Sequence, residues 1–229
     1  MWMRMLNMSH IISMKHDVFK ENKNTASKNK KMLKDSNVFA VNIMGAIGSG
    51  KTTLIEEAIK ALKGKYRIAV IAGDVIADMD ASRFIRLGVT TIPANTGKEC
   101  HLDAHLVEHS LSEINLKDYD VLFIENVGNL ICPTDFDLGE DMKIVVVSVS
   151  EGDDIILKHP VIFKTSELAV INKIDIAEAV GVDPATMVRD INFLNSKIPV
   201  LLTSKKDQKT VDAWVNVIEK GILSKKQGK

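Results

Sequence analysis

The sequence predicts a three-layer α/β domain with a mostly parallel central sheet of about seven strands. Two observations carry this. From residue 37 onward, short β-rich runs alternate with helical stretches, the pattern of βαβ units that cover a sheet on both faces. Residues Gly45 to Thr53, GAIGSGKTT, lie between the first such run and the first helical stretch, the setting that gives a Gly-x-x-x-x-Gly-Lys-Thr pattern its meaning.

Residues 1–36 read as an N-terminal helical, lysine-rich arm, with the main domain over 37–229. Six lysines fall between residues 20 and 37, and Ile11, Ile12, Met14, Val18 and Phe19 supply one apolar face. The basic run reads as a solvated helix face and is given no chemistry. The strands expected after it are Val38 to Met44, Arg67 to Ala72, Val89 to Ala94, Val121 to Asn126, Ile144 to Val149, Leu168 to Asn172 and Val200 to Thr203. Asp183 and Pro184 mark one helix start, and Lys209 to Lys220 form the body of the last helix.

Composition bounds the function. The length suits one α/β domain, and equal counts of 30 basic and 30 acidic residues leave no field that would favour nucleic acid or an anionic membrane. No apolar run approaches the roughly 20 residues of a membrane span. Two cysteines, Cys100 and Cys132, do not make a secreted disulfide framework, so a cytoplasmic, reduced protein is expected.

The first motif is a phosphate cradle, which narrows the fold to a P-loop NTPase domain. Gly45, Ala46, Gly48, Ser49 and Gly50 bring backbone amides toward phosphate oxygens. Lys51 adds a cation, Thr52 a hydroxyl for Mg²⁺, and Thr53 continues into the helix whose N-terminus faces the anion. The second motif reads the base. Asn172, Lys173 and Asp175 end the strand Leu168 to Ile171, at the sheet edge where open α/β folds bind ligands. The Asp175 carboxylate can accept from guanine N1–H and the 2-amino group together. Asn172 suits N7, the Lys173 stem suits the ring face, and the Ser204 and Lys205 segment suits O6, so GTP is expected over ATP.

Strand Val121 to Glu125 then runs into Asn126, Val127 and Gly128, placing a carboxylate and a glycine where such proteins sense magnesium and the γ-phosphate. Lys51, Asp74, Glu125 and Gly128 are therefore the expected catalytic set. Thr52, Asp74, Glu125 and, more weakly, Asp80 are the magnesium candidates. No glutamine stands ready to orient the attacking water, so slow intrinsic turnover is expected.

A softer metal site is expected nearby. Cys100 adjoins His101, and the spacing of His101, His105 and His109 would align them on one side of a helix. With Cys132 they make a thiolate–imidazole set that selects zinc, nickel or copper over magnesium, with His105 a fourth ligand or outer-shell group and His109 at the surface. Cys132 lies four residues beyond Gly128, so γ-phosphate capture is expected to move it and to change metal affinity, reciprocally. With two thiolates per chain, a two-fold interface would pool ligands, which points to a homodimer.

GAIGSGKTT, GDV, NTGKECHLDAH, ENVGNLICP and VINKID, in that order, resemble the HypB family of nickel-inserting GTPases, from about Val38 to the C-terminus. The resemblance implies a cytosolic homodimer that delivers nickel to the large subunit of [NiFe] hydrogenase, with a HypA-type nickel metallochaperone as partner. It also implies that the Cys100, His101 and Cys132 positions form a nickel or zinc site at the subunit interface, and that Lys158 reaches nucleotide across the dimer. This chain departs from the cysteine-rich N-terminal nickel motif of many bacterial relatives, because no cysteine precedes Cys100. The close alternative, a urease accessory GTPase of the UreG type, typically carries Cys-Pro-His where this chain has Cys132, Pro133 and Thr134. From other classes come a P-loop small-molecule kinase, which would make no use of the cysteines, and a metal-regulated switch that binds GTP without cleaving it.

Overall fold

The computed structural model describes residues 2–74, 78–97 and 99–228, with side chains from residue 17 onward except those of residues 74–80 and 98. The Ile11, Ile12 and Met14 side chains, and those of the candidate magnesium ligands Asp74 and Asp80, lie outside the described residues. Seven strands form one sheet: β1 (Phe39–Gly45), β2 (Ile68–Asp74), β3 (Thr90–Asn95), β4 (Val121–Glu125), β5 (Met142–Ser148), β6 (Leu168–Asn172) and β7 (Val200–Thr203). Their order is β3-β2-β4-β1-β5-β6-β7. All six pairings are parallel, so every strand brings its carboxyl end to the same edge. The helices are α1 (Trp2–Asp35), α2 (Lys51–Leu62), α3 (Asp78–Ile85), α4 (Ala104–Ser112), α5 (Ile155–Lys158), α6 (Pro160–Thr165), α7 (Pro184–Leu194) and α8 (Gln208–Lys226).

Alternation along β1 shows how the layers form. Phe39, Val41 and Ile43 pack against Leu54, Ile55 and Ile59 of α2 and against Val211, Trp214, Ile218 and Ile222 of α8. Ala40 faces the opposite layer, with Leu33 of α1, Val107 and Leu111 of α4 and Leu138. Met44 joins a third cluster with Phe163, Met187 and Ile191. Trp214 is fully buried, and its indole N–H donates to the Leu54 carbonyl at 2.8 Å. This satisfies the one polar atom of a large apolar group.

Helix α1 runs unbroken to Asp35. Its lysines at 20, 23, 28, 30, 31 and 34 are exposed, while Ala26, Asn29 and Leu33 are buried against the α4 layer. The chain then turns at Asn37, whose φ of 58° is in the left-handed region that Asn tolerates, and enters β1. Helix α4 begins later than the histidine spacing implied. Asp103 caps it by accepting from the Leu106 amide at 2.8 Å, so the helix opens at Ala104 and His101 precedes it.

Candidate functional site

Two adjoining pockets lie at the carboxyl edge of the sheet. The first, of about 370 Å³, is lined by Gly48, Gly50, Lys51, Thr52, Thr53, Glu125, Asn126, Gly128 and Arg83, among others. The loop between β1 and α2 forms its floor. At Gly50, φ is 103°, and a Cβ there would come within 2.2 Å of Asn172 Nδ2. Only glycine serves that position. Lys51 is buried, and its ammonium donates to the Gly45 and Ala46 carbonyls at 3.1 Å each, folded over the cradle. Thr52 Oγ1 donates to Glu125 Oε1 at 2.6 Å. A hydroxyl and a carboxylate in direct contact, beside amides and an ammonium, are a donor set that fits Mg²⁺ between protein and phosphates.

Gly128 closes the pocket from the β4 side. A Cβ on it would lie 2.2 Å from Ile47 Cγ1 and 3.0 Å from the Ile47 amide nitrogen, so the loop after β4 rests directly on the cradle. The next residue fastens it, because Asn129 forms an antiparallel bridge with Gly45. Arg83 of α3 also lines this pocket, gripping Glu56 with two N–H groups at 2.9 and 2.7 Å. It carried no motif by which the sequence could single it out.

The second pocket, of about 620 Å³, is lined by Gly50, Thr53, Leu54, Asn172, Lys173, Asp175, Thr203, Ser204, Lys205 and Lys206, among others, and is large enough for a nucleoside. Asp175 accepts from Ser204 Oγ at 2.7 Å and pairs with Lys206 at 3.1 Å. The Ser204 hydroxyl and then the Lys206 ammonium hold its carboxyl below the usual carboxylate value, so it stays an acceptor. Asn172 has a wider role than the sequence suggested. Its Nδ2 donates to the Ser49 carbonyl at 2.9 Å and its Oδ1 accepts from Thr203 Oγ1 at 3.0 Å, tying cradle to base pocket. Lys173, at a φ of 60°, stretches back to donate to the Gly48 carbonyl at 2.6 Å. The Ser204 amide, one of the segment's two candidate donors, donates to Thr210 Oγ1 at 2.9 Å. Lys158 lines neither pocket; it is exposed and paired with Asp154.

Beyond Gly128 the chain reaches the thiolate cluster. The ligand atoms of Cys100, His101 and Cys132 all lie within 4.8 Å of one another, and no other such group occurs among the described residues. Cys100 Sγ lies 2.7 Å from Cys132 Sγ and 3.8 Å from His101 Nδ1. The hydrogen bond to Cys132, aided by burial, raises the Cys100 thiol above its usual value, whereas burial lowers that of the His101 imidazole and favours the neutral, ligating form. His101 stacks on Phe136 with ring centroids 4.0 Å apart. His105 is not in the cluster. Because helix α4 starts after His101, His105 packs instead on His109, with centroids 4.7 Å apart, and pairs with Glu108 at 3.6 Å.

Asn129 connects the two halves of the site. While its backbone pairs with Gly45, its Nδ2 donates to the Cys100 carbonyl at 3.3 Å and its Oδ1 accepts from the Ile131 amide at 2.8 Å. Asn126, buried just after Glu125, accepts from the Leu102 amide at 3.1 Å and donates to Asn42 of β1 at 3.2 Å. Both cysteine segments are thus bonded to the loop that leaves the magnesium candidate.

Comparison with known proteins agrees with this geometry. Residues 39–202 match the family described as CobW/HypB/UreG, nucleotide-binding domain. A chain from Methanocaldococcus jannaschii named probable hydrogenase maturation factor HypB is 54% identical over 212 residues, covering 93% of this chain and 96% of that one. The crystal structure of hydrogenase maturation factor HypB from Archaeoglobus fulgidus superposes with a TM-score of 0.84 at 46% identity, covering 89% of this chain and 99% of that one. That of HypB from Helicobacter pylori in complex with nickel gives 0.84 at 32% identity, covering 91% and 96%. With its nucleotide pocket, its seven-stranded parallel sheet and these likenesses together, the chain belongs to the HypB family of P-loop proteins.

Proposed function

We propose that this protein is a GTP-hydrolysing metallochaperone that binds nickel, or zinc in its place, and assists nickel insertion into [NiFe] hydrogenase. Nucleotide state and metal affinity are coupled in this reading. The observation that carries it is the single stretch from Glu125 to Cys132, which touches the phosphate cradle at Gly128 and Asn129 and ends in a thiol 2.7 Å from Cys100.

Asp175 recognises guanine, and the Lys51 ammonium and the α2 N-terminus stabilise charge on the β and γ phosphates. Thr52 and Glu125 hold Mg²⁺, which screens phosphate charge when bound. Asp74 positions the attacking water, with Asp80 the weaker candidate, and turnover is slow in the isolated chain. The Gly128 amide bonds the γ-phosphate and releases it after cleavage. Nickel is cargo held by Cys100, His101 and Cys132. Two neighbouring sulfurs would stand about 3.8 Å apart on a tetrahedral ion such as zinc and about 3.2 Å apart on a square-planar nickel ion, given metal–sulfur bonds of about 2.3 Å. The thiols must therefore open from 2.7 Å to admit it. That opening would move Cys132 against the stretch anchored at Gly45, so γ-phosphate capture at Gly128 and metal binding act on the same segment.

The reading extends to a homodimer in the cytoplasm, a HypA-type nickel donor and the hydrogenase large subunit as acceptor. Ile47 and Ile131 support an interface on this face, because these large apolar residues are 85% and 64% exposed beside the cradle and the cluster. Lys158, exposed, paired with Asp154 and lining neither of its own pockets, would reach the nucleotide of the second copy. Among the described residues no helix is long and apolar enough to cross a membrane.

GTP turnover with and without Ni²⁺, in wild type and Cys132→Ala, tests the proposal. Nickel should change the wild-type rate and leave the variant's unaltered. A rate indifferent to both metal and substitution would separate the two pockets.

A further inference from the structure

Helix α1 lies outside the matched nucleotide-binding domain, which begins at residue 39. Two of its side chains nevertheless hold the segments that carry the thiolate cluster. Asn22 Oδ1 accepts from the Ala104 amide at 2.8 Å, and its Nδ2 donates to the Asp137 carbonyl at 2.9 Å. Seven residues on, two helical turns along the same side, Asn29 Nδ2 donates to the Ala104 carbonyl at 2.8 Å and to the Leu138 carbonyl at 3.0 Å. Ala104 follows His101 by three residues, while Asp137 and Leu138 follow Cys132 by five and six. Each asparagine therefore spans the same two strands of chain that end in the metal-ligating residues.

Two further contacts show that this approach is built into the fold. A Cβ on Gly139, where φ is 99°, would meet the Ala26 carbonyl oxygen at 2.6 Å and the Lys30 amide nitrogen at 2.7 Å. Glycine there lets α1 lie against the loop. One helical turn before Asn22, the Phe19 ring lies 5.4 Å from that of Phe136, the same ring that stacks on His101.

We propose that α1 is the outer wall of the metal site, with Asn22 and Asn29 as positioning residues that set the separation of the Cys100–His101 and Cys132 segments. This rests on the reading of those three residues as the metal site, and it adds that metal affinity depends on a helix outside the nucleotide-binding domain. Without the brace the two segments keep the bonds through Asn126 and Asn129, the Cys100–Cys132 contact and the His101–Phe136 ring contact, but lose their shared support on α1. The thiols and imidazole then sample more separations, and metal binding must order them.

The test is competition of Ni²⁺ with a chromophoric chelator on the full chain, with GDP affinity measured alongside as a control for folding. Asn22→Ala should bind Ni²⁺ roughly tenfold more weakly, as loss of an outer-shell partner does, with GDP affinity within about twofold of wild type. Asn22→Asp, which keeps the acceptor for Ala104 but loses the donor to Asp137, should fall between. Asn29 is fully buried, so Asn22, half-exposed, carries the test. Wild-type nickel affinity in Asn22→Ala, while Cys132→Ala has lost it, would overturn this inference alone. Nickel binding that survives Cys132→Ala would overturn the metal site and the inference with it.

Discussion

Thr52 Oγ1 and Glu125 Oε1 stand 2.6 Å apart, joining the first turn of α2 to the end of β4 across the phosphate pocket. Both groups suit a magnesium ion; the register that sets Ile43 of β1 against Glu125 places the carboxylate, and the first turn of α2 places the hydroxyl. Glu125→Gln keeps the acceptor for Thr52 but removes the charge. GTP hydrolysis should fall about 10²- to 10³-fold, the scale for losing one electrostatic stabiliser, with GDP binding in EDTA little changed. Single-turnover kinetics at saturating Mg²⁺ reads this, and a rate within a few-fold of wild type would remove Glu125 from the reaction.

Base specificity should rest on Asp175, held ionised by Ser204 and Lys206. Asp175→Asn exchanges one acceptor for a donor, which mismatches the guanine 2-amino group but matches the 2-oxo group of xanthine. GTP affinity should weaken roughly 10- to 100-fold, as for a lost charge-assisted hydrogen bond, while xanthosine triphosphate should bind the variant better than wild type. Fluorescent-nucleotide competition measures both, and unchanged GTP affinity would contradict the assignment.

Acid stability should depend on a carboxylate at the opposite end of the sheet. Asp120 accepts from the Arg67 guanidinium at 3.1 Å and its backbone amide at 2.8 Å, and pairs with Lys226 at 3.0 Å. The Arg67 hydrogen bond above all, with Lys226 behind it, holds the carboxyl well below the usual carboxylate range. The folded state thus binds this proton more weakly than the unfolded state, whose carboxyl titrates near 3.9. The contribution is complete above that value and is lost as the pH falls through and below it. Urea midpoints of wild type and Asp120→Asn should differ at about pH 7 and converge toward about pH 2. A constant difference would assign the effect to packing.

The strands were readable because each is a short, nearly continuous apolar run between turn residues, as sheets buried on both faces require. GAIGSGKTT and Asn172–Asp175 announced their surroundings because glycines and paired polar groups at strand ends have few structural uses. The thiolate cluster was half legible. Cys100, His101 and Cys132 do meet, but the four-residue histidine spacing suggested a helix that the cap at Asp103 starts too late to include His101. Least legible were single asparagines. Asn22 and Asn29 belong to no motif, and Asn126 and Asn129 stand in ENVGNLICP without a role of their own to be read there; the importance of all four lies in backbone groups far away in sequence that only the folded chain brings within reach.

The most direct examination of the coupling is equilibrium titration of Ni²⁺ into the protein bound to GTPγS and, separately, to GDP. The two forms should differ at least about fivefold in nickel affinity, the lower end of ordinary allosteric coupling, with GTPγS affinity shifted by the same factor when nickel is present. Equal nickel affinity in both nucleotide states, with equal sulfur-to-nickel absorption bands, would contradict it.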